Sequence, residues 1–443
     1  MSHRRFAALA LVLPLFLPAS LAAQGINLRD LLTDFLRGGI TLAPVPPPAV
    51  SHRAHFIGDD SPQFLALQQF SSQLANQLSS FPLASSAGGF TYRFDPALGV
   101  FTRSAESFGP IYAERADTVG KGKFNIGVNY SHFSFDQIDN ISLREGDLNL
   151  VFTHQDVNSD GSNLLPFVEG DVITAQLFLK IETDITAFVL TYGVSDRFDL
   201  GLAIPLVAVD LEAQSNAAIQ RFATGETSPI HTFVTGGTED PLRQSGRASG
   251  VGDVVVRGKF QFVQGARGGL ALAADVRLPT GEERDLLGTG ATQGKASLIG
   301  SLHLGTFSPH LNAGYTVSTK GSDDEEIPDQ ISYIGGFDWA IHPRLTLVAD
   351  VIGRTFRDSQ IVLQESTTFQ FNTNPSGTPI QQDSRVLPRL VSRQGNSETL
   401  LGSVGVKINP FGNFLLTLNG LFSLSDNGLQ DDFAPLVGFD YSF

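Results

Sequence analysis

The chain has 443 residues, with 30 Lys and Arg against 45 Asp and Glu, a formal charge of −15, 45 glycines and no cysteine. Lack of cysteine excludes a disulfide framework, a thiol nucleophile, an iron–sulfur cluster and any Cys-ligated zinc, and the acidic balance argues against a nucleic-acid partner. Charged residues make up only 17%, against roughly a quarter in an ordinary soluble domain, which is sparse cover for a water-facing protein of this length.

Arg4 and Arg5 precede an apolar stretch from Phe6 to Leu21, broken by Pro14 and Pro18 and followed by Ser20-Leu21-Ala22-Ala23. This is the layout of a secretory signal peptide, residues 1–23, cleaved near Ala22 or Ala23. The prolines and the small-residue exit argue against an uncleaved anchor. No later run reaches the ~18 apolar residues of a spanning helix. An exported chain of this kind is expected to be periplasmic, secreted, or a β-barrel in the outer membrane of a Gram-negative bacterium.

Residues 24–120 contain two helix-like stretches, Leu28 to Arg37 and Pro62 to Leu78, separated by Pro44-Val45-Pro46-Pro47-Pro48, which no helix crosses. In the second, Phe64, Leu65, Leu67, Phe70, Leu74 and Leu78 recur mostly at spacings of three and four and form one apolar stripe. The region reads as a partly helical periplasmic extension, with a plug folded back into a lumen as the alternative. Composition does not separate the two.

From about residue 121 the apolar residues fall at spacing two, in segments of roughly ten residues. The predicted strands are 124–130, 186–194, 198–209, 253–262, 270–278, 295–304, 310–318, 331–340, 344–354, 399–408, 414–424 and 432–443. In the fourth, Val254, Val256, Phe260 and Phe262 share one parity and Asp253, Arg257, Lys259 and Gln261 the other. Short links such as Ser195-Asp196-Arg197 and Ile341-His342-Pro343 alternate with long ones at 133–185, 210–250, 280–292, 319–330 and 355–396. A soluble sandwich has no reason to segregate loop lengths in this way, whereas outer-membrane barrels do. The fold class is therefore all-β: a transmembrane up-and-down antiparallel β-barrel of about twelve strands over residues 121–443.

Three groups of residues carry functional expectations. Asp253, Arg257, Lys259, Asp275, Arg277, Lys295, Asp350, Arg354 and Lys407 occupy the polar parity and are candidates to line the lumen, with Arg257 opposite Asp275 across a turn centred on Ala266. Either they line a polar passage or they fill the lumen with ion pairs. Phe439, Tyr441 and Phe443 alternate with Asp440 and Ser442 at the C-terminus, as an assembly signal read by the barrel-assembly machinery would. The predicted external segments account for the whole of the net negative charge, densest at Asp323, Asp324, Glu325 and Glu326, where a divalent cation bridging to lipopolysaccharide phosphates is one reading and plain solvation the other.

Catalysis has little support. His132, His154 and His231 fall in or beside predicted loops rich in carboxylates, but there is no H-E-x-x-H and no G-x-S-x-G. Gly288 to Lys295 has the wrong spacing for a phosphate loop, and Ala296 stands where Ser or Thr would bind magnesium. No cofactor is expected. The loop phenylalanines Phe222, Phe233, Phe356, Phe369 and Phe371 would either capture apolar solute or pack the loops into a lid.

Tyr192-Gly193-Val194-Ser195-Asp196-Arg197-Phe198-Asp199-Leu200-Gly201-Leu202-Ala203-Ile204-Pro205-Leu206 resembles the strand-turn-strand signature of outer-membrane transporters grouped under the meta-pathway of phenol degradation. Leu278-Pro279-Thr280-Gly281 with Asp285-Leu286-Leu287-Gly288-Thr289-Gly290 is similar to the same family's strand-to-loop motif. The resemblance covers about residues 120–443 and implies, through a more distant likeness to fatty-acid and aromatic-hydrocarbon channels, passive transport of small, hydrophobic or aromatic solutes. The other readings are a structural or adhesive barrel with a blocked lumen and, more remotely, an outer-membrane hydrolase.

Overall fold

The computed structural model describes residues 27–443 apart from 45–52, 57–60, 81, 83, 86–88, 96–98, 157–158, 160–163, 165–168, 224–230, 322–323 and 374–378. The expected signal peptide and Asp323 lie outside the described residues. Twelve strands form the wall: β1 (Phe124–Phe135), β2 (Val172–Ser195), β3 (Phe198–Gln220), β4 (Val254–Gly265), β5 (Gly268–Leu278), β6 (Gln293–Leu302), β7 (Phe307–Ser318), β8 (Gln330–His342), β9 (Leu345–Thr373), β10 (Gln381–Ile408), β11 (Phe414–Ser423) and β12 (Ala434–Ser442). Every strand pairs antiparallel with its neighbours in sequence, and β12 returns to β1 from Leu436↔Ser131 to Ser442↔Asn125. Closure removes the edges that an open sheet would expose. All twelve strands coincide with predicted segments.

Outward positions carry the oily parity. Leu200, Val256, Phe260, Leu272, Leu311, Val351 and Val404 are all exposed on the outer wall, as are Phe439, Tyr441 and Phe443 at the end of β12. Phe443 stacks on Phe124, ring centroids 5.3 Å apart, so the C-terminal aromatics sit on the seam that closes the barrel. Tyr130 and Trp339 are exposed, and Tyr192 is half-buried against Phe124.

Three of the expected long loops are largely strand. β2 and β3 remain paired from Ser195↔Phe198 out to Val172↔Gln220, and β9 and β10 from Leu345↔Ile408 to Thr373↔Gln381. Leu148–Thr153 adds to β2 and Glu239–Val251 to β3. The reason is an inversion of polarity along one continuous ladder. Near the turns, Leu200, Leu202 and Ile204 of β3 face outward, but farther along the same parity holds Asp210, Glu212 and Gln214, while Val209, Leu211 and Ala213 are buried on the inner side. β2 inverts at the paired level, with Lys180, Glu182 and Asp184 outward and Leu177, Leu179 and Ile181 buried. The hydrogen-bonded backbone is indifferent to this change; only the surroundings of its two faces are exchanged.

The inverted apolar faces receive the N-terminal helices. α1 (Leu28–Gly39), the short α2 (Arg53–Phe56) and α3 (Pro62–Ser79) share one core with the extended hairpins, in which Leu31, Leu32, Phe35, Phe64, Phe70 and Leu74 pack with Phe152, Leu177, Leu179 and Leu211. α3 starts with Pro62 in its first turn, where a missing N–H costs nothing. The chain then runs back through the barrel. Its small hairpin, Tyr92–Asp95 with Val100–Arg103, lies at the short-turn end, where Arg93 donates to Gly265 O at 3.4 Å. For residues 24–120 the expectations are a periplasmic extension and, as its alternative, a plug; the helices pack on the long hairpins and residues 107–119 lie within the lumen.

Gly193 of the strand-turn-strand motif is where this segment meets the wall. A Cβ there would stand 1.9 Å from the Gly120 carbonyl oxygen, and Gly122 N donates to Gly193 O at 2.7 Å. Gly193→Val is expected to cost about 1–3 kcal/mol by overpacking, read as a lower urea midpoint for the detergent-solubilised barrel. Gly258→Ala, whose nearest neighbours would be Phe198 ring atoms at 3.6 Å, is the control that should leave the midpoint in place.

Candidate functional site

An extended segment with no partner strand must find hydrogen bonds for its backbone elsewhere. Residues 107–119 find them on the inward side chains of the barrel. Phe108 N donates to Thr346 Oγ1 at 3.1 Å, Tyr112 N to Asp350 Oδ2 at 3.1 Å, Glu114 N to Asn312 Oδ1 at 2.6 Å, Ala116 N to Ser301 Oγ at 2.9 Å and Val119 N to Asp199 Oδ2 at 3.1 Å. The carbonyls are met by lysines: Lys407 Nζ donates to Pro110 O at 2.6 Å, and Lys259 Nζ to Arg115 O and Asp117 O at 3.2 and 2.8 Å. The polar parity of the strands therefore serves as a docking template for the chain's own segment.

One buried network ties the segment across the lumen. Arg115 Nη2 lies 3.3 Å from Asp338 Oδ2, both side chains at most 1% exposed, and donates to Ser107 O at 3.0 Å. His310 lies between Asp338 and Asp350, 3.4 and 3.3 Å from their carboxylates. His303 contacts Asp117 at 2.8 Å.

The predicted lumen residues fall into distinct roles. Arg257 faces Asp275 in the expected register and grips it with two bonds, 2.6 and 2.7 Å, while also pairing with Glu114. The turn is Ala266-Arg267 rather than a single Ala266, and a bulge at Phe262 absorbs the half-residue difference. Arg277 donates to Ser79 O and Arg354 to Ser80 O at 2.7 Å, so two cations from β5 and β9 hold the C-terminal end of α3, where the helix dipole favours positive charge. Lys295 lies beside them. Asp253 stands just before β4 and fastens a loop instead, accepting from Gly281 N at 3.1 Å and from Thr289 N and Oγ1 at 2.8 and 2.9 Å. Asp199, Asn312, Ser301, Thr346, His310 and Asp338 were not singled out from the sequence, although each shares its strand's inward parity.

Between the end of α3 and the crossing segment lies a cavity of about 160 Å³, walled by Ser80, Pro82, Tyr112 and Glu114 and by inward residues of β2 to β9, among them Arg257, Asp275, Arg277, Lys295 and Arg354. At the acidic run, Glu325 pairs with Arg29 of α1, which also holds Glu283, and Asp324 lies 3.9 Å from Lys320. Among the described residues no group of three or more His, Asp or Glu side chains is arranged to hold a metal ion. Glu325 therefore takes part in docking α1.

The long-hairpin end is closed by aromatic and histidine contacts. Of the loop phenylalanines, Phe222 stacks on Phe371 at 5.1 Å, Phe233 and Phe356 are buried and Phe369 is half-buried. His132 contacts Asp184 at 2.9 Å. The rings of His55 and His154 are 5.0 Å apart, those of His154 and His231 5.2 Å, and Phe56 packs edge-on against the latter two. His231 bonds Asp171 at 2.8 Å, and both are fully buried. Burial, reinforced by the neighbouring His231 and His55, pushes His154 from its ordinary 6.5 down to about 4, and burial lowers His55 as well. A depressed histidine resists protonation only while folded, so the mouth keeps this contribution to its stability in full above about pH 6.5 and loses it as the pH falls toward 4. Protease cleavage of the N-terminal helices is expected to accelerate over that window, and His154→Gln should flatten the dependence. Equal acceleration in the variant would remove His154 as the cause.

A family model described as "Putative MetA-pathway of phenol degradation" matches residues 153–374, half of the chain. No curated protein matches the sequence. Among solved structures, the chain is similar to an outer membrane channel from Pseudomonas putida F1, 13% identical with a TM-score of 0.41 over 74% of this chain and 98% of that one. It is also similar to a Pseudomonas aeruginosa FadL homologue, 13% identical with a TM-score of 0.31 over 80% and 94%. The Ralstonia pickettii toluene transporter TbuX is 12% identical, with a TM-score of 0.26 over 73% and 90%.

Proposed function

Because the chain belongs to the MetA-pathway of phenol degradation family, we propose that it is an outer-membrane channel through which small, hydrophobic or aromatic compounds pass passively. One observation carries the reading: a closed twelve-stranded barrel with an apolar outer belt whose lumen holds the chain's own residues 107–119 through side-chain bonds rather than strand pairing, beside a cavity large enough for a small solute. In this orientation the short turns face the periplasm, and the hairpins β2–β3 and β9–β10 project outside. Helices α1 and α3 stand in the outer mouth rather than in the periplasm. Solute enters past the lid, occupies the cavity, and leaves when the crossing segment shifts from its polar template. Lipopolysaccharide surrounds the acidic outer rim, and the barrel-assembly machinery reads Phe439, Tyr441 and Phe443.

The reading is tested by single-channel recording of the full-length protein in planar bilayers, together with swelling of proteoliposomes in phenol and in other single-ring solutes. Permeation of single-ring solutes above that of protein-free membranes is expected. A folded barrel that passes neither ions nor these solutes would leave the structural, closed-lumen reading in its place.

A further inference from the structure

The charges around the lumen cavity do not balance. Four cations line it, Arg257, Arg277, Lys295 and Arg354, against two carboxylates, Glu114 and Asp275. Arg257 engages both carboxylates, Asp275 also stands opposite Lys295, and the lining as a whole carries two net positive charges. Positive charge taken out of water is costly unless an anion offsets it. The same wall has an apolar part, formed by Tyr112, Ile299, Ile334 and Ile352. Its volume of about 160 Å³ compares with the ~150 Å³ apolar cavity that accepts benzene in another protein. The room is therefore that of one ring, and the electrostatics are those of an acceptor for a negative group.

From this we infer that the cavity is a binding site for a single-ring carboxylate, with its carboxylate toward Lys295 and Arg277 and its ring against Tyr112 and the isoleucines. Arg277 spends one bond on Ser79 O, and a guanidinium has five donors, so it can hold the end of α3 and the ligand together. Lys295 supplies a point charge from the adjacent strand, where it stands opposite Asp275 in register. The inference deepens the channel reading by naming a solute class, and rests on that reading only for the route by which the ligand arrives.

The test is isothermal titration of the full-length, detergent-solubilised protein with benzoate, with toluene as the ring without the charge, and with acetate as the charge without the ring. Benzoate is expected to bind, and toluene and acetate to bind at least about tenfold more weakly, since a hydrogen bond to a charged group and the burial of a ring are each worth a factor of that order. Lys295→Met should weaken benzoate by about tenfold or more and leave toluene unchanged, while Lys295→Arg retains benzoate binding and guards against a variant that fails to fold. Absence of benzoate binding, toluene binding as tight as benzoate, or an unchanged affinity in Lys295→Met would each overturn the inference. Conductance reads the channel separately: ion flow without benzoate binding sinks the site and spares the channel, and benzoate binding without ion flow does the reverse.

Discussion

Removing residues 24–119 is expected to raise single-channel conductance by about an order of magnitude, because a twelve-stranded wall is wider than the eight-stranded barrels that side chains alone can fill. Several inward residues are small: Ala271 and Ala273 are buried in one cluster with Ala116 of the segment, and Ser301 accepts from Ala116 N. The deletion ends before Phe124, so all twelve strands and the β12–β1 seam are retained. Side chains that now serve the segment, such as Lys407 and Asp350, would regain water in an open lumen rather than remain buried without partners. Planar-bilayer recording of the refolded barrel checks this. Unchanged conductance in a barrel that still migrates as folded would mean that the segment does not obstruct the path.

Arg115→Met is expected to cost about 3–5 kcal/mol, the range found when one partner of a buried ion pair is removed. Asp338 would be left fully buried without its guanidinium partner, with His310 at 3.4 Å and Lys407 near enough to act on it. The loss falls on the seating of residues 107–119, since Arg115 belongs to the segment and Asp338 to β8. The expected result is frequent opening and fast proteolysis of the N-terminal region while the barrel itself keeps its heat-resistant migration. Pairing the change with Asp338→Leu should restore most of the stability, because two apolar residues leave no orphaned charge. A double variant no more stable than Arg115→Met would show that the pair is not what holds the segment.

Much of the wall could be read in the chain because a barrel strand reports itself locally. Alternation at spacing two needs only the two environments of its faces, and Val254 to Phe262 already displays both. The continuation of β2, β3, β9 and β10 was hidden for the same reason: beyond Asp184 and Asp210 the two faces exchange polarity, so a reading built on an outward oily parity stops where the outer surface becomes polar. Arg257 opposite Asp275 was legible because a short turn sets the register. The bulge at Phe262, which lets a two-residue turn keep that register, leaves no mark in composition.

The candidate site divides along the same line. Lys259, Asp350 and Lys407 could be placed inward from parity alone, but their partners are backbone atoms of residues 108–119, a segment without periodicity. Nothing local distinguishes Asp253, which fastens the loop through Thr289, from Asp275, which faces the lumen cavity.

The chain alone was enough for an all-β barrel of about twelve strands with an oily outer face and a polar interior, because both faces follow from the side chains' transfer preferences taken a few residues at a time. Only the tertiary structure decided that the interior is occupied by residues 107–119, that α1 and α3 close the long-hairpin end, and that Arg277, Lys295 and Arg354 share one cavity. Those arrangements join groups far apart in the chain, and a polar side chain facing inward is equally compatible with water, an ion pair or a peptide group until the fold supplies its partner.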